Sequence, residues 1–236
     1  MSPRARHARP ATIPPGRGGG IFLLAVLALS GCAGWKPFQP WQKSDRDRDK
    51  YGPTADARIK ELAARSKAAK AGPAERQVEF TQELAAEMLR DHDPRVRVRI
   101  LQTAAEYDTA AAVAICKGAL QDPADQVRLA ACDVWGKRGG EEAVGLLAER
   151  FRGDSDHDVR LRALRMLGTL KDKEAIPVLA KALEDSDPAV QYRAVASLKE
   201  VSGRDLGNDV NAWRAWAADP STAPEWSVAE GFRQLF

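Results

Sequence analysis

The chain has 236 residues, 44% of them apolar and 29% charged, a composition that can bury a core and excludes wholesale disorder. Its net charge of +3 is misleading: residues 1–32 hold Arg4, Arg6, Arg9 and Arg17 and no acid, so the rest of the chain carries 32 of the 36 basic residues against all 33 acidic ones. A near-neutral body excludes the broad cationic surface that nucleic-acid binding needs, and three cysteines are too few for a multi-bridge secreted scaffold.

Residues 1–31 read as an export signal. The arginines precede an uninterrupted apolar run, Ile21–Leu29, whose nine residues fall short of the ~20 that a membrane-spanning helix requires. The run ends in Leu29-Ser30-Gly31-Cys32, which resembles the lipobox of bacterial lipoproteins. That resemblance implies cleavage before Cys32, lipidation of its thiol and attachment to a membrane through two or three acyl chains, which hold firmly where one holds marginally. Ala33 and Gly34 follow where an Asp would signal retention in the inner membrane. The implied address is therefore the cell envelope, at the periplasmic face of the outer membrane.

Residues 32–55 have no helical or strand period and carry Pro37, Pro40, Pro53 and the mixed-charge run Asp45–Lys50. They read as a tether with a reach of roughly 25–30 Å. Trp35, Phe38 and Trp41 suit a membrane interface and equally an ordinary linker.

From residue 56 the apolar spacing turns helical. Ile59, Leu62 and Ala63 share one face; Val78, Thr81, Leu84, Ala85 and Met88 share another, with Gly72-Pro73 as the break. A repeat of about 31 residues then appears. Val96, Val127, Val159 and Val190 are separated by 31, 32 and 31 residues. The same steps relate Leu101, Cys132, Leu164 and Val195, and also Ala104, Trp135, Leu167 and Leu198. In the second half of each unit Val113, Val144 and Ile176 correspond, as do Cys116, Leu147 and Leu179, and Leu120, Phe151 and Leu183.

Each unit opens with a helix start. Asp93, Asp156 and Asp187 are placed to cap, and Pro94 and Pro188 follow at the first helical position, where a missing N–H costs nothing. Ala124 occupies the cap slot of the second unit, so its helix is expected to start a residue or two out of step. Such a unit cannot cover its apolar face alone; stacking completes the core. The pattern resembles HEAT repeats of the short form first associated with phycobilisome lyases, whose D-x-D-P-x-V-R-x-x-A signature is visible at Asp187–Ala194, with Gln191 for Arg, and at Asp156–Ala163, with His157 for Pro. The resemblance implies an all-α fold, an α-solenoid of about five helix pairs over residues 56–201. Residues 202–236 break the period. Trp213 and Trp216 there read as a terminal cap or, alternatively, an aromatic binding site, and Leu235 and Phe236 belong to a short amphipathic tail that could dock on the body.

Chemistry is sparse in this pattern. His92 and His157 fall in inter-repeat turns and read as turn filler; no His-Glu pair exists, unlike the di-iron HEAT-repeat enzyme deoxyhypusine hydroxylase. Asp154, Asp156 and Asp158 alternate like a calcium loop, but Val159 and Arg165 stand where such a loop needs Gly and Glu; helix capping is the expectation. Cys116 and Cys132 occupy core slots, and a disulfide between them requires Cα atoms within ~7 Å. Arg97, Arg128 and Arg160 recur with turn acids as a ladder between repeats or as a stripe for an acidic peptide. No catalytic residue, cofactor or metal is expected, and the chain is read as no enzyme.

On a stack of this type the second helices line the binding wall. Lys117, Glu149, Arg150 and Lys181 are the candidates to face a protein or peptide partner there. The functional expectation is a membrane-anchored interaction scaffold; the alternatives are a non-catalytic accessory subunit of an envelope enzyme and a structural spacer.

Overall fold

The computed structural model describes residues 52–220, and among these ten α-helices follow one another with no strand. They form five consecutive pairs: α1 Ala55–Ala71 with α2 Ala74–Arg90, α3 Pro94–Ala104 with α4 Ala110–Ala119, α5 Asp125–Arg138 with α6 Ala143–Gly153, α7 His157–Thr169 with α8 Ile176–Ala182, and α9 Pro188–Ser202 with α10 Val210–Ala218. A 3-10 turn, Lys173–Ala175, leads into α8. Cys32, Trp35, Phe38, Trp41 and Leu235–Phe236 lie outside the described residues.

Local chemistry starts the helices where the sequence places them. The Asp93 carboxylate accepts from the Arg95 amide at 2.9 Å, Asp156 from Val159 at 3.0 Å and Asp187 from Ala189 at 2.8 Å. The second unit differs from the sequence expectation. Ala124 gives no side-chain cap, yet α5 begins at Asp125, in register with its sister helices. The reason lies two residues upstream: the Asp122 carboxylate accepts the Ala124 amide at 2.9 Å and sets the turn without a cap at the usual place. Between α5 and α6, Gly139 and Gly140 adopt φ of +63° and +90°, left-handed conformations open to glycine and strained for other residues.

The first helices (α1, α3, α5, α7, α9) pack in succession against one another and the second helices lie against them. Stacking closes the apolar flank each pair leaves open. The repeated valines 96, 127, 159 and 190 are all buried, as are the related rows Leu101–Cys132–Leu164–Val195 and Ala104–Trp135–Leu167–Leu198. Close approach between neighbours is built in by small residues: a Cβ added at Gly168 of α7 would come within 2.8 Å of the Ser197 side chain and 2.9 Å of its Cα on α9.

The leading pair departs from its sequence reading. Val78, assigned to the inner face of α2, is 43% exposed, whereas Phe80, which the pattern passed over, is fully buried against Tyr107 with ring centroids 5.6 Å apart. Tyr107 caps this region by donating to the Ser66 carbonyl at 3.0 Å. At the other end Trp213 and Trp216 are buried, edge to face at 5.5 Å, and α10 packs on α8 and α9. The tryptophans therefore close the stack; the Trp213 indole N–H donates to the Gly207 carbonyl at 3.0 Å.

Candidate functional site

Two features of the stack decide what it presents to a partner: which charges are consumed within it and where apolar surface is left uncovered. The recurring arginines belong to the first class. Arg97 grips Asp122 with two bonds of 2.8 and 2.7 Å while a third N–H reaches the Asp91 carbonyl at 3.0 Å. Arg128 repeats the arrangement on Asp154, with both bonds at 2.9 Å, and on the Asp122 carbonyl. Arg160 bonds Asp185 at 2.8 Å, and Arg58 of α1 pairs with Asp91. Arg97 and Arg128 thus each tie their own repeat turn to the carboxylate of the next one, while Arg160 reaches back to the Phe151 carbonyl at the end of α6 at 3.2 Å.

Arg97, Asp122 and Asp154 are buried and the Arg128 side chain is nearly so, so the two middle rungs are interior and not the exposed weak pairs that sequence spacing alone suggests, whereas Arg160 with Asp185 is half-buried. Pairing within the stack commits these arginines to the turns and leaves them no free stripe for an acidic peptide. The Asp122 hydrogen bond holds the Arg97 guanidinium above its ordinary pKa against the opposing effect of burial, and Asp154 does the same for Arg128. At Asp154 burial alone would raise the carboxyl, but the Arg128 bonds, the Asp156 amide and the Arg128 and Arg150 charges outweigh it and hold the pKa below the usual range. Only Asp156 of the three alternating acids caps α7; Asp154 is a ladder acceptor. The run of arginines stops at Gln191, which keeps the backbone bond, to the Asp185 carbonyl at 2.7 Å.

The sequence candidates on the second helices are distributed along the stack. Lys117 of α4 is exposed and reaches Glu142, at the start of α6, at 2.5 Å. Glu149 of α6 is exposed and accepts from Arg150 at 3.1 Å. Arg150 itself is half-buried, donating to the Leu120 carbonyl of the preceding unit at 3.1 Å and lying 3.6 Å from Asp154. Lys181 of α8 is exposed and pairs with Glu184 at 2.5 Å. His157 lies 3.3 Å from Asp187, and His92 is exposed in its turn. Cys116 and Cys132 are buried free thiols; desolvation, helped by the charges of Asp133 and Asp154, pushes Cys132 up to about 12. Among the described residues no group of three or more His, Cys, Asp or Glu is arranged to hold a metal ion.

The uncovered apolar surface lies elsewhere on the same wall. A groove of about 530 Å³ runs between α2 and α4, floored by Ala85, Met88, Ala114, Ile115 and Gly118. Leu89 stands at its edge 89% exposed. Sequence reading missed it, although the signal was present: Leu89 is five residues past the buried Leu84, about 140° around the helix and out of step with the inward face. A second cavity, of about 1050 Å³, lies where α1 meets α2 and the α2–α3 turn, but its Arg58 and Arg65 are already engaged by Asp91, Glu83 and Glu87.

Comparison with protein families bears on the same residues. The family model for HEAT repeats matches residues 81–163 and 146–210, more than half of the chain. The chain belongs to the HEAT-repeat family. The match takes in all of α3 to α9, the part in which the valine rows and the buried ladder recur, and HEAT repeats are helical scaffolds for protein interaction. No curated protein matches the chain.

Proposed function

We propose that this HEAT-repeat protein is a non-catalytic scaffold held in the bacterial cell envelope by lipid on Cys32, and that its second-helix wall binds a protein segment. The observation that carries the binding assignment is the groove between α2 and α4 with Leu89 exposed beside it. Large apolar side chains left uncovered beside a concave apolar floor favour a partner that removes both from water. Lys117, Glu149 and Lys181 continue the wall with charge, which suits orientation of a partner more than affinity. The anchor rests on Leu29–Cys32 following an apolar run, and no described helix is long and apolar enough to cross a membrane.

The binding assignment is tested by photo-crosslinking in intact cells from two positions. A crosslinker at Leu89 is expected to trap a defined protein. The same group at Tyr192, 62% exposed on the first-helix layer, is expected to trap none. Equal capture from both sites would sink the assignment. Mass spectrometry of the purified protein tests the anchor separately: a mature N-terminus without acyl mass on Cys32 rules it out.

A further inference from the structure

The first-helix layer carries a second kind of opening, far less apolar than the groove. Between α1 and α3 lies a cleft of about 320 Å³ lined by Ala63, Ser66, Lys67, Lys70, Arg99, Thr103 and Glu106. Two helical stripes at i, i+4, i+7 spacing face each other across it: Ala63–Lys67–Lys70 on α1 and Arg99–Thr103–Glu106 on α3. Lys70 pairs with Glu106 and lies over the Tyr107 ring, so that end is neutral. Lys67 and Arg99 make no hydrogen bond or ion pair among the described residues. Two uncompensated cations therefore face one opening.

The repeat lattice explains why they are uncompensated. Two residues after the ladder arginine, Arg99 of α3 corresponds to Arg162 of α7. Arg162 is neutralised by Asp133 of the preceding first helix at 2.7 Å. Asp133 stands five residues after its own ladder arginine, and five after Arg58 stands Ala63. The small side chain both removes the carboxylate and opens the space. Within that space the Thr103 hydroxyl makes no hydrogen bond to the described residues and is not sealed from water, so it is free to donate to whatever enters the cleft.

We propose that the α1–α3 cleft binds a single phosphate group, free or carried by a lipid headgroup. Arg99 and Lys67 meet its charge with charge-assisted hydrogen bonds, and Thr103 donates its hydroxyl to a phosphate oxygen. The Lys70–Glu106 pair closes one end and excludes a longer polyanion by repulsion from the carboxylate.

Titration calorimetry on the full chain in neutral detergent tests this, with inorganic phosphate in one arm and water-soluble short-chain phosphatidic acid in the other, at matched ionic strength. Saturable binding in either arm is expected. Saturation with the lipid alone assigns a headgroup, with phosphate alone a free anion, and with both a site that reads the shared group. Arg99→Gln and Lys67→Gln are each expected to weaken binding about tenfold, and Thr103→Val to weaken it at unchanged melting temperature. Arg165→Gln, an exposed cation on α7 outside any such cleft, is expected to leave binding unaltered. Failure to saturate in both arms overturns the proposal, and so does an Arg165→Gln loss equal to that of Arg99→Gln, which would mark diffuse attraction to the surface.

Discussion

Gly168→Ala separates the stacked fold from any looser arrangement of the same helices. In an isolated helix the change stabilises by about 1 kcal/mol, because alanine loses less backbone entropy than glycine. Here the new methyl would sit 2.8 Å from Ser197 Cβ and Oγ and 2.9 Å from Ser197 Cα. A backbone atom cannot swing aside as a side-chain end can, so α7 and α9 must separate. Overpacking of this kind costs about 1–3 kcal/mol. Displacing Ser197 also strains its 2.8 Å bond to the Leu164 carbonyl, a further loss of about 1 kcal/mol. The net expectation is a destabilisation near 2 kcal/mol, or roughly 4–8 °C in melting temperature for a domain of this size. The control is Gly118→Ala on α4, where a Cβ meets nothing within 4 Å; it is expected to raise the melting temperature by up to about 4 °C. Thermal and urea unfolding followed by circular dichroism read both variants. If both are stabilised alike, α7 and α9 do not approach as described and the stacking argument fails.

The buried ladder and the buried thiol each have a measurable consequence. The Asp154 carboxyl is held below its unfolded pKa of about 3.9, so its contribution is complete above that value and is lost as pH falls through the lower folded value. Asp154→Asn, which strips the charge from a pair with Arg128, is expected to cost roughly 3 kcal/mol at neutral pH and to flatten the fall in stability below pH 4; an unchanged acid slope in urea titrations would contradict the assignment. With its thiol pushed up to about 12, Cys132 is expected to resist iodoacetamide at pH 8 in the folded chain and to react once denatured. Peptide mass mapping distinguishes it from the other cysteines, and fast native labelling would refute its burial.

Much of the architecture was written locally. The valine rows, the Asp–Pro helix starts and the two C-terminal tryptophans could be read because a repeat restates one packing solution at a fixed spacing, and any residue breaking it in one copy shows against the others. The leading pair is less legible: with no sister copy close in sequence, the pattern puts Val78 on the inner face of α2 and passes over Phe80, which is the buried one. The register of α5 was also misjudged, because Asp122 performs the turn-setting that the missing cap at Ala124 left open.

What the linear order could not settle is which neighbour each charge meets. Spacing showed that arginines and aspartates recur, and only the stack revealed that each ladder arginine serves the carboxylate of the next turn, 25 or 26 residues away in α3 to α7, with Arg97 buried and Arg160 half-buried by doing so. Tertiary packing likewise decided that Leu89 is left uncovered while Met88 lines a groove, and that Arg99 faces Ala63 instead of an acid. Helix identity follows from periodicity within about ten residues, whereas burial and pairing depend on atoms contributed by adjoining repeats, whose distances no single unit encodes.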